Sequence, residues 1–474
     1  MITVDSLRYD HLSIHGYNRK TTPYLEYISK YYKCVDLEMR ANAPYTKASF
    51  KSIMTGFLPF SYGSYFSVRN YKTIATFFKK LGFKTLGIAN NVVLDSRFGY
   101  GKGFDLFLVS PSSTLGDKRT TLMNKVIKMK VGSAIFQKVP KLAKTMLYAL
   151  LTKGRVVKPT FPCEALVKAV QRFIKAVKSD NGKAFVWIHF METHYPYDVD
   201  LEVWEELYGE SKINRLKYIE GWISILEKLN KDSEMKKEIL KLNIMLYDNA
   251  IRIVDKCVEM LVKGLEELGC IDETLLIMLS DHGEEFLEHG AFGHIGRRYF
   301  THIYEELIKV PFLVVDFKDV SPIDSSFVKN FRSIEFAQID ILPTILGFFG
   351  VSNLRTDGIN FYNVMLSSNP TKYKRVIISE ASLINKERGT RPIPVNEKII
   401  LAVKKGKWKY ILRESLSEEL YDLQNDPYER NNVLSNAEDY VLWELRAISK
   451  SRLRKIKHWL IKEKTRNILR LIKT

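Results

Sequence analysis

No stretch of this chain reaches the roughly 18 unbroken apolar residues of a membrane span. The opening Met1-Ile-Thr-Val-Asp5 lacks the basic flank, apolar stretch and small-residue cleavage site of a secretory leader, so a cytoplasmic location is expected. Cysteine is scarce: Cys34, Cys163, Cys257 and Cys270 are scattered without a CxxC pair, which speaks against a zinc knuckle and against a disulfide framework. All four are expected to be reduced and structural. Disorder is excluded by composition, with 46% hydrophobic and 27% charged residues. At 474 residues the chain can bury a large core, as one large α/β domain with appendages or as two to three domains.

What the chain has in excess is positive charge, +19 overall, and it is localised. Asp117–Lys158 holds eleven Lys/Arg against one acid, and Lys450–Thr474 holds ten against one, so the remaining body is close to neutral. Such segments are either solvated helix faces or a means of holding an anionic surface or polymer. No nucleic-acid partner is expected.

Short β-branched or aromatic runs alternate with longer helical patterns, which predicts an α/β fold with a mostly parallel sheet sandwiched by helices. The strand candidates are Ile2–Val4, Thr85–Ala89, Ala184–Phe190, Thr274–Leu279, Pro311–Val315 and Val376–Ser379. The first is short against the usual length of about five or six residues, so either the start is misassigned or the strand is stunted. Helical insertions are predicted at about 110–160 and 200–242, the second leading into a helix over Asn243–Leu268. Ile399–Val403, Lys409–Leu412 and Glu419–Leu423 predict a small antiparallel sheet. The expected division is a catalytic α/β domain over 1–395, an antiparallel subdomain over 396–436 and a basic amphipathic helical tail over 437–474. In the tail, Leu453, Ile456, Trp459 and Leu460 recur at helical spacing among Arg and Lys residues. That stripe either packs on the body or docks on an anionic membrane.

Several predicted strands end on polar residues, where open α/β sheets bind ligands. Asp5 follows the first, His189 falls at the end of the third, and Ser280-Asp281-His282 follows the fourth. Six of the nine histidines lie in two windows, His189/His194 and His282/His289/His294/His302. A lone histidine is usually structural, but two clusters beside carboxylates point to a site. Asp281-His282-Gly283 offers an O/N pair that suits a divalent ion, and Asp5 a second carboxylate. Thr46 opens a helical stretch ending at Thr55-Gly56, either as an ordinary N-cap or as a hydroxyl at an anion-binding helix end.

These motifs, in order, resemble the sulfatase family within the alkaline phosphatase superfamily. The resemblance rests on Val4-Asp5-Ser6, Thr21-Thr22-Pro23, Ala43-Pro44-Tyr45-Thr46 to Thr55-Gly56, and Trp187 to His194-Tyr-Pro-Tyr197. It continues through Tyr247-Asp248-Asn249 with Asp255, Ser280-Asp281-His282-Gly283-Glu284 with His289-Gly290, and Ile303-Tyr304-Glu305-Glu306 to Pro311. Asp340 to Thr344, Asp357-Gly358, Glu419 to Leu423 and Asp426-Pro427 close it. The resemblance implies an alkaline-phosphatase-like fold, with Asp5, Asp281 and His282 as metal ligands and Thr46 as the nucleophile and a further ligand. His194 would contact the transferred group or assist its leaving group. His294, preferred over His302, would be another leaving-group acid.

The departures carry as much. Family members convert a Cys or Ser to formylglycine, whereas Thr46 cannot become that aldehyde; Ala48 and Phe50 replace the motif's Pro and Arg. Ser6 stands for the second Asp of the usual pair, and His282 for the usual Asn. These changes resemble the unmodified-threonine branch, similar to lipoteichoic acid synthases and phosphoethanolamine transferases. The expectation is a hydrolase of sulfate or phosphate esters, including glycan- or lipid-linked ones, with one divalent metal: manganese first, with calcium, magnesium and zinc as alternatives. Two rival readings are a phosphotransferase acting on a glycan or lipid, and an inactive member that binds anionic sugars or lipids.

Overall fold

Continuous apolar runs become strands covered on both faces. The computed structural model describes residues 1–63, 65, 67–110, 160–197, 199–209, 234–294, 302–317, 334–365, 375–382, 399–413 and 417–472. The strands are β1 (Ile2–Val4), β2 (Lys33–Arg40), β3 (Lys84–Ala89), β4 (Leu106–Val109), β5 (Ala184–Phe190), β6 (Leu275–Ser280), β7 (Lys309–Asp316), β8 (Phe336–Ala337), β9 (Val376–Ser382), β10 (Ile399–Lys405), β11 (Trp408–Arg413) and β12 (Glu418–Asp422). Among the described residues the first eight form one sheet in the order β4-β3-β5-β1-β6-β7-β2-β8. Only β7 runs against the others, antiparallel to both β6 and β2.

Side-chain alternation divides the core between the two faces of this sheet. Ile277 and Leu279 of β6 join Trp187, Phe312 and Val314 on one face; Leu276 and Met278 join Ile2, Val4, Ile188 and Leu313 on the other. The helices are α1 (Pro23–Tyr31), α2 (Thr46–Thr55), α3 (Ile74–Lys80), α4 (Cys163–Ser179), α5 (Leu201–Tyr208), α6 (Glu234–Glu267), α7 (Glu305–Ile308), α8 (Ile341–Phe348), α9 (Phe361–Met365) and α10 (Asp439–Ile472). Phe50 and Ile53 of α2, with Ile341 of α8 and Phe361 of α9, cover the first face. Leu25 of α1, Leu166 of α4 and Val258 of α6 cover the second.

β9–β12 form a four-stranded antiparallel sheet. Its three later strands match the predicted runs. β9, predicted as part of the main sheet, instead pairs along its length with β10, so the small sheet begins before residue 396. The predicted insertion at 110–160 lies almost wholly outside the described residues; of the second, α5 and the start of α6 are described.

The tail is helical as predicted, and its apolar stripe is buried on the body. Ile456 and Leu460 pack with Tyr45, Phe60, Tyr65 and Leu401. The buried guanidinium of Arg452 donates to Glu380 Oε1 at 2.5 Å and to Ser61 Oγ at 3.2 Å.

The cysteine expectation is corrected. Cys163, at the start of α4, is joined to Cys257 of α6 by a disulfide, with Cα atoms 6.1 Å apart, while Cys34 and Cys270 are free thiols. The spacing of 94 residues hid the pairing, because it depends on which turns of two distant helices face each other. The bond closes a long loop, so Cys257→Ser should lower unfolding free energy by about 2–4 kcal/mol. Urea unfolding with and without reductant measures it; coincident curves would mean that both sulfurs are thiols.

Candidate active site

β5, β1 and β6 are parallel neighbours, with Val4 opposite both Phe190 and Ser280. The residues at or just beyond their carboxyl ends, His189, Asp5, Asp281 and His282, are therefore brought together although up to 277 positions apart in the chain. All four are fully buried. Asp5, Asp281 and His282 each place one donor atom within 4.8 Å of the others.

Two backbone features shape this corner. Ser6 adopts a left-handed conformation (φ 58°), which turns the chain directly after Asp5. Its N–H donates to Asp281 Oδ1 at 3.1 Å and its hydroxyl to Asp5 Oδ1 at 2.9 Å. Gly283 is needed for close approach: a Cβ there would lie 1.9 Å from the Glu306 carbonyl oxygen. Its N–H donates instead to Leu307 O at 2.8 Å.

Thr46 is the first residue of α2, after Tyr45 in extended conformation, and makes no N-cap bond. The helix ends as predicted at Gly56, in left-handed conformation (φ 71°). The Thr46 hydroxyl faces the cluster, 3.3 Å from Asp5 Oδ2 and 3.2 Å from His282 Nε2. The ordinary-cap reading is thereby set aside.

The electrostatics of the cluster are those of a cation site. Burial and the neighbouring Asp5 charge push the Asp281 carboxyl well above the usual range. Burial acts against ionisation of Asp5 too, but His194, His189 and His282 outweigh it and hold its carboxyl well below. Burial and the nearby His294 push His282 down to about 3, leaving a neutral imidazole. Asp281 Oδ2 is buried and takes no hydrogen bond. Two facing carboxylates, an unprotonated imidazole and an unpaired oxygen fit a divalent ion.

His194 and His294 flank this cluster, their rings 5.0 Å apart and His294 4.3 Å from the His282 ring. His294 Nδ1 is 3.2 Å from Glu284 Oε1 and 3.4 Å from Ser6 Oγ. His302 lies elsewhere, 5.4 Å from the Tyr304 ring, which leaves His294 as the one near the cluster. Sequence alone assigns no role to Asn91, whose Nδ2 donates to Asp5 Oδ2 at 3.2 Å, or to Gln338, whose Nε2 donates to the Asp281 carbonyl at 2.6 Å. It marks His189 without giving it a task; His189 Nε2 lies 3.2 Å from Asp5 Oδ2 and Nδ1 3.0 Å from Thr3 Oγ1. The rule that singles out Asp5 could have found Asn91, which sits two residues past β3.

Comparison with known proteins gives this geometry a family. The multifunctional alkaline phosphatase superfamily protein PehA of Trinickia caryophylli is 24% identical over 195 residues, covering 40% of this chain and 35% of PehA. The chain thus spans about a third of the curated relatives it matches. Among solved structures, the phosphonate monoester hydrolase of Agrobacterium radiobacter superposes with a TM-score of 0.63 at 18% identity, covering 97% of this chain and 95% of that one. BT4656, solved with its substrate D-glucosamine-2-N,6-O-disulfate, gives a TM-score of 0.63 at 15% identity, with 97% of each chain covered. The fold is therefore alkaline-phosphatase-like, a mostly parallel sheet between helices with a small antiparallel sheet beside it. With the sulfatase family profile matching residues 1–351, three quarters of its length, the chain belongs to the sulfatase family.

Proposed function

We propose that this protein is a metal-dependent hydrolase of sulfate or phosphate esters in which the unmodified Thr46 hydroxyl is the nucleophile. The observation that carries the reading is the position of that hydroxyl, 3.3 Å from Asp5 and 3.2 Å from His282, at the N-terminus of α2. Asp5, Asp281 and His282 would hold one divalent ion, with Thr46 as a further ligand; manganese suits the donors best, and calcium, magnesium or zinc are alternatives. When bound, the ion would supply positive charge that lowers the pKa of the Thr46 hydroxyl and offsets charge on the ester oxygens.

The Thr46 hydroxyl gives up its proton to water and Oγ1 attacks the phosphorus or sulfur in line, so that a bond forms to the transferred group and the bond to the leaving alcohol breaks. His194 or His294 delivers the proton that the departing alkoxide needs. Water then cleaves the threonine ester and regenerates the hydroxyl. The N-terminus of α2 and the histidine pair would face the transferred anion. A phosphoryl centre suits them better than a sulfuryl one, because its oxygens carry more charge. The Agrobacterium phosphonate hydrolase and the disulfated-sugar complex support both ester types. Transfer to a glycan or lipid hydroxyl differs only in replacing water at the second step, as the unmodified-threonine resemblance suggests.

No helix among the described residues is long and apolar enough to cross a membrane. The Cys163–Cys257 bond favours an oxidising compartment over the cytoplasm. Contact with an anionic surface would fall to the exposed face of α10, which carries Arg454, Lys455, Lys457 and Lys462.

Four outcomes test the reading. Thr46→Ala should lower turnover of aryl phosphate diesters, phosphate monoesters or sulfate esters by at least about three orders of magnitude, while Thr46→Ser retains part of it. Manganese titration of both variants should still find one ion at the Asp5–Asp281 site; full activity in the Ala variant would mean that water attacks directly. Mass spectrometry of the Thr46 peptide should find unmodified threonine at rest and a mass gain of the transferred group after rapid acid quench. Finally, because Asp281 holds its proton above the usual carboxylate range, metal binding should release protons, increasingly as pH falls. Calorimetry in buffers of different ionisation enthalpy measures that release, which Asp281→Asn should abolish together with most of the affinity.

A further inference from the structure

The loop that begins at His282 runs on into a second cluster, separate from the first. His289, Glu306 at the second position of α7, and Glu429 beyond the small sheet each place one donor atom within 4.8 Å of the others. These residues come from three segments of the chain. The Glu306 side chain is 2% exposed and that of Glu429 is fully buried. Neither oxygen of Glu306 takes a hydrogen bond. Its ion contact is His289 Nε2 at 3.4 Å, itself without a hydrogen bond. The His289 ring is held against Tyr304, stacked at 3.7 Å, so its Nε2 is fixed in direction.

The neighbouring cations reach Glu429 and Glu305 but not Glu306. The buried Lys409 ammonium lies 3.0 Å from Glu305 Oε1 and 2.7 Å from Glu429 Oε1. Arg40 joins Glu305 at 2.7 Å to Glu38 at 2.6 Å. Glu285 spends Oε1 on the N–H groups of His289 and Ala291, each at 2.9 Å, and its Oε2 is buried without a partner. Glu285, Glu305, Glu306 and Glu429 thus face Lys409, an Arg40 guanidinium shared with Glu38, and the His289 imidazole, and Glu306 is the one of the four with neither oxygen hydrogen-bonded. An unpaired buried carboxylate is costly, and a divalent ion removes the cost.

We propose that His289, Glu306 and Glu429 bind a second divalent metal ion of the zinc or manganese class. One imidazole and two carboxylates form a donor set that such ions take, with water completing the shell. Thr46 is not part of this cluster, so the ion is a clamp rather than a reaction centre. It ties the loop carrying His282 and His294 to α7 and to the segment after the small sheet.

The test uses the full chain stripped by chelator. Wild-type protein titrated calorimetrically with zinc, and separately with manganese, should bind two ions. Asp281→Asn should keep one of them, and Glu306→Gln or His289→Ala in that background should remove it. Anomalous diffraction from wild-type crystals soaked in zinc chloride should place a peak among His289, Glu306 and Glu429, and needs no variant to fold. One ion in wild type that survives Asp281→Asn but not Glu306→Gln would keep this site and remove the first. No peak at His289 with the Asp5 site filled, or an Asp281→Asn protein that binds nothing, would leave a plain His289–Glu306 ion pair and overturn the proposal.

Discussion

Two carboxylates held face to face out of water constrain this molecule more than any other contact. Asp5 and Asp281 extend from adjacent parallel strands, and each raises the cost of the other's charge. Much of the surrounding structure supplies partners for them. Ser6 turns left-handed so that its N–H and hydroxyl both donate inward. Asn91 and His189 approach Asp5 from the other side, and Gln338 fixes the Asp281 backbone. One oxygen, Asp281 Oδ2, is left for a cation. Ser6 is here a donor to Asp5, not a third negative charge in a space that holds two.

The same arrangement explains how distant parts of the chain bear on Thr46. Glu380 of β9 accepts from Phe60 N–H at 2.9 Å and from Arg452 of α10, which also reaches Ser61. Tyr45, directly before Thr46, packs against the tail residues Ile456 and Leu460. Helix α2 is thus braced at both ends by the small sheet and the tail. The antiparallel sheet and α10 are supports for the helix that begins at Thr46 more than separable modules. The basic residues of the tail are divided by that packing: Arg452 is internal and structural, whereas Arg454 and Lys455 face outward.

The strands that bear the site were legible because a continuous apolar run ending on Asp, His or Ser fits little besides a buried strand that delivers a polar group to the sheet edge. β2 was not among the strand candidates, although Val35-Asp-Leu-Glu-Met-Arg40 alternates as a half-buried strand does; its Glu38 is paired with Arg40 and Lys309. The pairing of β9 was missed because its sequence suits either sheet. Thr46, Asp5, Asp281, His282, His194 and His294 could be picked out by motif order, and the folded chain brings them to one place. Asn91, just past β3, was within reach of the same strand-end rule, whereas Gln338 could not be ranked without the fold, because a single amide carries no pattern. The disulfide and the His289 cluster were illegible for one reason: each needs a three-dimensional coincidence between segments whose local sequences are ordinary in themselves.

The pairing of β1 has a consequence for how the protein is made. Among the described residues its three positions pair with β5 and β6 alone, through partners beginning at Ile188 and Met278. On the ribosome, the segment bearing Asp5 therefore has no partner until the chain has grown past residue 190, and lacks its second one until past residue 280. Loop closure over such separations is slow compared with hairpin or helix formation. The centre of the sheet waits on strands far downstream, whereas β3 and β4 can pair earlier and β2 must wait longer still for β7 and β8. A nascent chain of this kind exposes the apolar edges of β5 and β6 for the interval between their synthesis and the insertion of β1, which is when a holding chaperone would find most to grip.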